Sequence, residues 1–252
     1  MVLRFTLENY PIYNDLFCLG FIQNALREGF RMDGRNVDDF RDVFINLTRD
    51  EVSSSADIII GNSRVICNVK GDIVPPHSNS PNEGLMHINV ALSAATIELN
   101  GISEMELCRL IEYCVQENNV IDMESLCIID GTKVWRITCD VCIVDSSGGN
   151  LRDISVIAVI TALRAFRRPE VLVIEANGNY LNNNQVYLYC ADEKDPLQLA
   201  LHHIPIPLTI GLITKTTAAK DVTNNLVFIG DPTAQEELLL EGIFFITIDA
   251  NG

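Results

Sequence analysis

The stretch of this sequence best suited to chemistry is a glycine loop that runs into an apolar helix, Ser146-Ser147-Gly148-Gly149-Asn150-Leu151-Arg152-Asp153. At a helix start the first N–H groups have no partner within the helix and the positive end of the helix dipole points the same way, so the loop could hold an anion such as phosphate. A second reading is a tight strand-to-helix connection without a ligand. Asp153 favours the second, because an acid in the first turn already complements the dipole and would repel an incoming anion by about 1 kcal/mol in water, several-fold more if desolvated. Two other groupings invite a metal reading and argue against it. Cys139 and Cys142 form a CxxC string within an extended segment, where residues three apart face opposite ways. His202 and His203 are adjacent in an extended segment, with the same consequence, so no metal and no cofactor is expected.

The elements that must position the loop are legible on both sides of it. From Val134 to Val144, Trp135, Ile137, Cys139, Val141 and Ile143 alternate with Arg136, Thr138 and Asp140, the pattern of a half-buried strand. Asn150 stands as the N-cap of a helix starting at Leu151, and Ile154, Val156, Ile157, Ala158, Ile160, Leu163 and Phe166 make it apolar on nearly every side. Such a helix is buried between layers. Arg164, Arg167 and Arg168 are expected in its last turn, complementing the dipole, with Pro169 as the stop.

Around this unit, residues 13–29 place Leu16, Phe17, Phe21, Ile22 and Leu26 at helical spacing, closed by Gly29. Val43, Ile45 and Leu47 begin an alternating strand, and two more flank the turn Gly61-Asn62-Ser63, the start of an antiparallel meander. The segment from Asp72 to Gly84 is rich in Pro, Ser and Asn and reads as a loop, leading to a strand from Leu85 to Leu92. Ser103 caps a helix to Gln116 that presents Met105, Cys108, Leu110, Ile111 and Cys114 on one face, with Glu104, Arg109, Glu112 and Tyr113 on the other. Beyond Pro169 come two strands joined by an Asn-rich turn, a long apolar strand from His203 onward, a polar loop over 214–225, a turn at Asp231-Pro232, and the final strand GIFFITI.

Composition bounds the function. The chain is 48% hydrophobic and carries 34 acidic against 18 basic residues, a net charge of −16. Nucleic acid phosphates repel so acidic a chain, and any RNA contact must rest on a local basic patch or on a partner's charge. No apolar run approaches the roughly 20 residues of a membrane helix and no secretory signal opens the chain, so an intracellular protein off the membrane is expected, with eight reduced cysteines.

The strings RMDGR, IDMESLCIIDGTKVWRITCDV, GGNLRDISVIAVITALRAFRRPEV, HHIPI and DPTAQEELLLEG resemble the RNase PH family, and within it the non-catalytic ring subunits of the RNA exosome, from about Leu16 to the end. The resemblance implies an α+β fold, a ribosomal protein S5 domain 2-like sheet with packed helices plus a smaller C-terminal sheet unit. It divides the chain into an arm and helix over 1–30, a first unit over 31–169, a connecting hairpin over 170–186 and a second unit over 187–252. The family's enzymes hold phosphate with a Gly-Thr/Ser-Arg turn and use a late carboxylate for phosphorolysis. Here only Arg152 matches the turn, Leu151 replaces the hydroxyl, the catalytic aspartate falls on Glu237, and a second acidic position falls on Ile243.

A degenerate site of this kind implies a scaffold supporting 3'-5' RNA degradation and processing, including rRNA processing and mRNA decay. Its partners would be other RNase PH-like subunits, S1/KH cap subunits, exosome nucleases and RNA in the ring channel, in nucleus, nucleolus and cytoplasm. An active phosphorolytic exoribonuclease using Glu237, and an RNA-binding adaptor outside any ring, are the other readings. By the same resemblance the RNA-binding candidates are Arg109 and Tyr113, where related subunits carry two arginines one turn apart, and Lys70 and His77, from a loop over 70–84 that lines the ring's neck. An ion pair of Arg109 with Glu106 or Glu112 is the alternative for that residue. Family members continue past the last strand into a further strand and a helix, so the end at residue 252 implies either a truncated sequence or a sheet face covered by a partner.

Overall fold

A computed structural model describes residues 16–93, 102–174, 185–215 and 226–249. In chain order the elements are α1 (Leu16–Arg27), β1 (Val43–Arg49), β2 (Ser53–Ile60), β3 (Ser63–Val74), β4 (Leu85–Leu92), α2 (Glu104–Glu112), β5 (Cys127–Ile129), β6 (Lys133–Asp145), α3 (Leu151–Ala165) and β7 (Arg167–Arg168). There follow β8 (Val171–Ile174), β9 (Gln185–Leu188), β10 (Leu197–Gln198), β11 (Ile206–Thr214), β12 (Leu226–Gly230), α4 (Ala234–Glu237) and β13 (Gly242–Ile248).

The large sheet has the order β1-β2-β3-β6-β4, with β5 appended to β6. Alternation makes it one-sided. Ala56, Ile58 and Ile60 of β2, Val65, Cys67 and Val69 of β3, and Ile137, Cys139, Val141 and Ile143 of β6 are all buried on one face. The other face carries a ladder of ion pairs, Asp57 with Arg64, Lys70 with Asp140 and Asp72 with Arg136. Helix α3 lies on the buried face and reaches β11 of a second, three-stranded sheet, β12-β11-β13. It is buried on nearly all sides, as its all-round apolar sequence requires. A smaller core joins Ile22 and Leu26 of α1 to Ile213, Val227, Ile229 and Leu240, so the first described helix covers the last sheet.

Several expectations are corrected. Strand β4 is not part of a meander; it runs parallel to β6, and the connection from it carries α2 across the core. The segment expected to be a loop from Asp72 starts later, because β3 continues through Val74 against β6. In α2 the face is rotated, with Leu107 and Ile111 buried and Met105 exposed. From Tyr113 to Glu117 the helix widens into a π-helical turn that buries Cys114 and Val115. Phe21 of α1 is exposed rather than packed. Helix α3 ends at Ala165, and Arg167-Arg168 pair in extended form with β10 instead of forming its last turn. Arg167 nevertheless caps the helix, donating to the carbonyls of Arg164 and Phe166 at 2.9 Å. The polar loop over 214–225 and the Asn-rich turn lie almost entirely outside the described residues.

Candidate functional site

The glycine loop after β6 and the short helix α4 meet face to face. Gly149 has φ +75°, a conformation that favours glycine, and a Cβ built there would collide with the backbone of Thr233 and Ala234. Close approach of two backbones is what this position requires. Asn150 occupies the N-cap position as expected, but in the left-handed region at φ 52° and without capping the helix. Its amide instead donates to Asp153 Oδ2 at 2.8 Å and to Asp231 Oδ1 at 2.7 Å.

The anion at the α3 N-terminus is Glu237. Its Oε1 accepts the backbone N–H of Asn150 at 3.2 Å and lies 3.6 Å from Arg152 Nη1. The Arg152 and Glu237 side chains are 5% and 6% exposed, so water reaches neither freely. Burial pushes the Glu237 carboxyl up to about 7, against the opposing pull of Arg152 and of the Asn150 N–H. Asp153 meets the loop through the Asn150 amide. Buried beneath it, Asp153 accepts from the Thr209 hydroxyl at 2.6 Å and the Thr209 N–H at 3.1 Å, and burial raises its pKa above the usual carboxylate value despite those bonds.

A second tier of arginines, from the segment between α1 and β1, closes the site from the other side. Arg31 grips Glu236 with two bonds of 2.9 and 2.6 Å and donates to the carbonyls of Gly230 and Asp231. Arg41 holds Asp231 with two bonds of 2.7 Å and reaches the Gly148 carbonyl at 2.6 Å. Arg35 adds a third contact to Asp231 at 3.0 Å. Burial would raise Asp231, but the bonds from Arg41 and Asn150 outweigh it and hold the carboxyl at about 2. Thr233 and Glu236 form a capping box at the start of α4 and fix its position. A cleft of about 410 Å³ opens beside the network, lined by Met32, Arg41, Asn62, Gly148 and Thr233 among others, but not by Asn150, Arg152 or Glu237.

The structure therefore brings Arg152 and Glu237 together, two residues 85 positions apart in sequence, and closes their pocket with the chain's own groups. Arg31, Arg41, Asp231 and Glu236 escaped the sequence reading as site residues. Arg31 lies in the RMDGR string and Asp231 and Glu236 in DPTAQEE, while Arg41 lies in neither, and nothing in the two strings says that the basic one meets the acidic one. The RNA-binding candidates do not converge on this site. Arg109 and Tyr113 are exposed on successive turns of α2 and its π-helical extension, and among the described residues Arg109 makes no ion pair with Glu106 or Glu112. Glu106 instead completes the capping box with Ser103. Lys70 sits within β3, not in a loop, and pairs with Asp140 at 2.9 Å. His77 lies in the following loop, where its Nδ1 accepts the Asn79 N–H. Cys139 is buried in the core while Cys142 lies towards the opposite face.

Residues 39–169 match the model of the 3' exoribonuclease family, domain 1. The chain belongs to the RNase PH family. It is similar to exosome complex component RRP45 of Saccharomyces cerevisiae, 32% identical over 92% of this chain and 75% of that protein. It is also similar to RRP45B of Arabidopsis thaliana, 35% identical over 92% of this chain and 50% of that protein, whose length it thus spans by half. Among solved structures, a chain of the Archaeoglobus fulgidus exosome with RNA bound to the active site superposes with a TM-score of 0.71 at 25% identity, covering 93% of this chain and 83% of that one. Rice Rrp46, at 15% identity and a TM-score of 0.55 over 86% of this chain and 80% of that one, shares the fold. As an RNase PH-family member the chain has the α+β fold its sequence predicts, with the glycine turn and the late acidic segment packed against one another.

Proposed function

We propose that this chain is a non-catalytic structural subunit of an RNA exosome ring, supporting 3'-5' RNA degradation and processing by assembling with related subunits and threading RNA. The observation that carries the reading is the self-filled anion site. Phosphorolysis needs a cradle that accepts orthophosphate and an acid free to assist the leaving oxygen. Here the α3 N–H is taken by Glu237, and the same carboxylate lies against Arg152. Leu151 offers no hydroxyl to an anion, and it is buried. The site's positive charge is spent on internal acids. Relatives named as exosome complex components support placing the chain among ring subunits. S1/KH cap subunits, exosome nucleases, and residence in nucleus, nucleolus and cytoplasm follow from that placement as parts of the proposal, as does the division into units at residues 30, 169 and 186.

A second reading has one observation in its favour. A carboxyl at about 7 is suited to general acid work, and Glu237 falls where the enzymes carry their catalytic acid. The experiment is phosphate-dependent release of nucleoside diphosphates from RNA by the purified chain, alone and with its ring partners. No release is expected from any assembly whose other subunits are inactivated. Release that Glu237→Gln abolishes would make the chain an enzyme.

A further inference from the structure

The C-terminal end of α3 opens onto a groove that takes no part in the anion site. Residues 198–204 line it together with Arg164 and Asp249, and its volume of about 640 Å³ is that of a small-ligand site. The groove forms where the chain changes partners. Gln198 pairs with Arg167 between β10 and β7, and Leu201 then pairs with Ile121, where Asp122 donates to the Ala200 carbonyl at 3.0 Å and His202 to the Val120 carbonyl at 2.9 Å. Beyond these bonds the chain bends at His202 before β11 begins at Ile206. In a straight strand His202 and His203 would face opposite ways, but across the bend both line the same groove.

The donors in this groove are uncommitted. Arg164 is exposed in the last turn of α3, yet the helix end does not need it, because Arg167 already donates to the carbonyls of Arg164 and Phe166 at 2.9 Å. Among the described residues the Arg164 guanidinium makes no ion pair and neither histidine ring has a partner, whereas Asp249, the acid lining the groove, is engaged. In a chain of net charge −16 with four histidines, two of them and an unpaired arginine thus fall at one spot. No group of three side chains among the described residues could hold a metal ion, so the histidines are not metal ligands. A guanidinium with open donors suits a phosphate, which it can hold with two parallel bonds. A bare phosphate would leave most of the groove unfilled, while Leu201 and Ile204 supply aliphatic wall and the histidines flat rings, surroundings on which a nucleobase stacks. We propose that this groove is a nucleotide site, taking the phosphate on Arg164 and stacking the base on a histidine, with the nucleotide either free or one unit of single-stranded RNA. The site goes beyond the ring-subunit reading and does not depend on it: none of Arg152, Arg109, Tyr113, Lys70 and His77 lines the groove.

The test titrates the full chain with inorganic phosphate, uridine monophosphate and a short oligouridylate. Binding is read by isothermal titration calorimetry and by the imidazole proton resonances of His202 and His203, assigned with His202→Ala and His203→Ala. The expected result is that the monophosphate binds at least tenfold tighter than inorganic phosphate, shifts at least one of the two imidazole resonances, and loses at least tenfold in affinity for Arg164→Gln and for His202→Ala/His203→Ala. Arg49→Gln, which removes the same charge from an exposed arginine at the end of β1, should stay within twofold of wild type. An oligouridylate that competes with the monophosphate and depends equally on Arg164 assigns the groove to RNA, and one that does not compete assigns it to a free nucleotide. No binding of the monophosphate, no preference for it over inorganic phosphate, unmoved imidazole resonances, or an affinity indifferent to Arg164→Gln each overturns the nucleotide site and leaves the subunit reading standing.

Discussion

Replacing Glu237 by glutamine removes one ionisable group and keeps its shape, and the consequence can be worked out. A glutamate at about 7 in the folded chain, against an ordinary value of 4.5, binds protons more tightly folded than unfolded. Below 4.5 both states hold the proton and the group contributes nothing to the pH dependence. As pH rises from 4.5 to 7 the unfolded chain ionises first, so stability falls, and above 7 the loss is complete. Over 2.5 pH units at about 1.4 kcal/mol each, the full loss is about 3.5 kcal/mol, of which about 3 kcal/mol falls between pH 4.5 and 8. Glu237→Gln lacks this contribution, so its stability relative to wild type should improve by about 3 kcal/mol between pH 4.5 and pH 8, with most of the gain between 5 and 7. Taking the difference between the two proteins cancels every other titrating group, including Asp153. Urea denaturation at several pH values measures it, with fluorescence of Trp135, the single tryptophan and a buried one, as the reporter. A variant whose stability tracks wild type at a constant offset from pH 4.5 to 8 would mean that Glu237 titrates like an exposed acid, and the sealed anion site would have to be given up.

Other outcomes follow from the same geometry. Arg31→Met should lose about 3–5 kcal/mol in the same denaturation assay, since it strands a buried Glu236 and leaves the carbonyls of Gly230 and Asp231 without that donor. Asp231→Asn removes a carboxyl held at about 2; wild type should keep that contribution above pH 4 and lose it only as pH falls towards 2, so the variant's deficit should be level from pH 5 to 8 and shrink in strong acid. Gly149→Ala should cost about 1–3 kcal/mol from the left-handed backbone, with a further loss from the collision with α4, read as a lowered Tm. If the ring assignment holds, Arg109→Glu should weaken RNA protection by the assembled ring in a nuclease-footprint assay and leave native mass spectra of the ring unchanged, because Arg109 is exposed and makes no ion pair among the described residues.

What the sequence made legible was local. The alternation of Trp135 to Ile143 and the all-round apolar run after Asn150 predict β6 and α3 to within a few residues, because period and turn chemistry are short-range properties. Ser103 is recognisable as a cap for the same reason, and its hydroxyl accepts the Glu106 N–H. Failures came where a distant neighbour decides. Met105 is as apolar as Leu107, and only the position of β4 beneath α2 buries one and exposes the other. Val43, Ile45 and Leu47 alternate like any half-buried strand, but at the edge of the sheet all three remain exposed. The pairing of β4 with β6 in parallel depends on α2 crossing over between them. At the site, Arg152 and Glu237 stood out through the family resemblance, whereas the arginines at 31 and 41 did not, since long-range ion pairing leaves no periodicity to read.

The bonds from Arg31 to Glu236 span 205 residues. During synthesis at about 5–20 residues per second, the arginines of the leading segment therefore wait roughly 10–40 s for the carboxylates that neutralise them. Until then the smaller core lacks its last strand, and α1 has no completed sheet to lie on. The first described helix is thus among the last parts to settle, and until α4 emerges α1 and the basic segment stand uncovered.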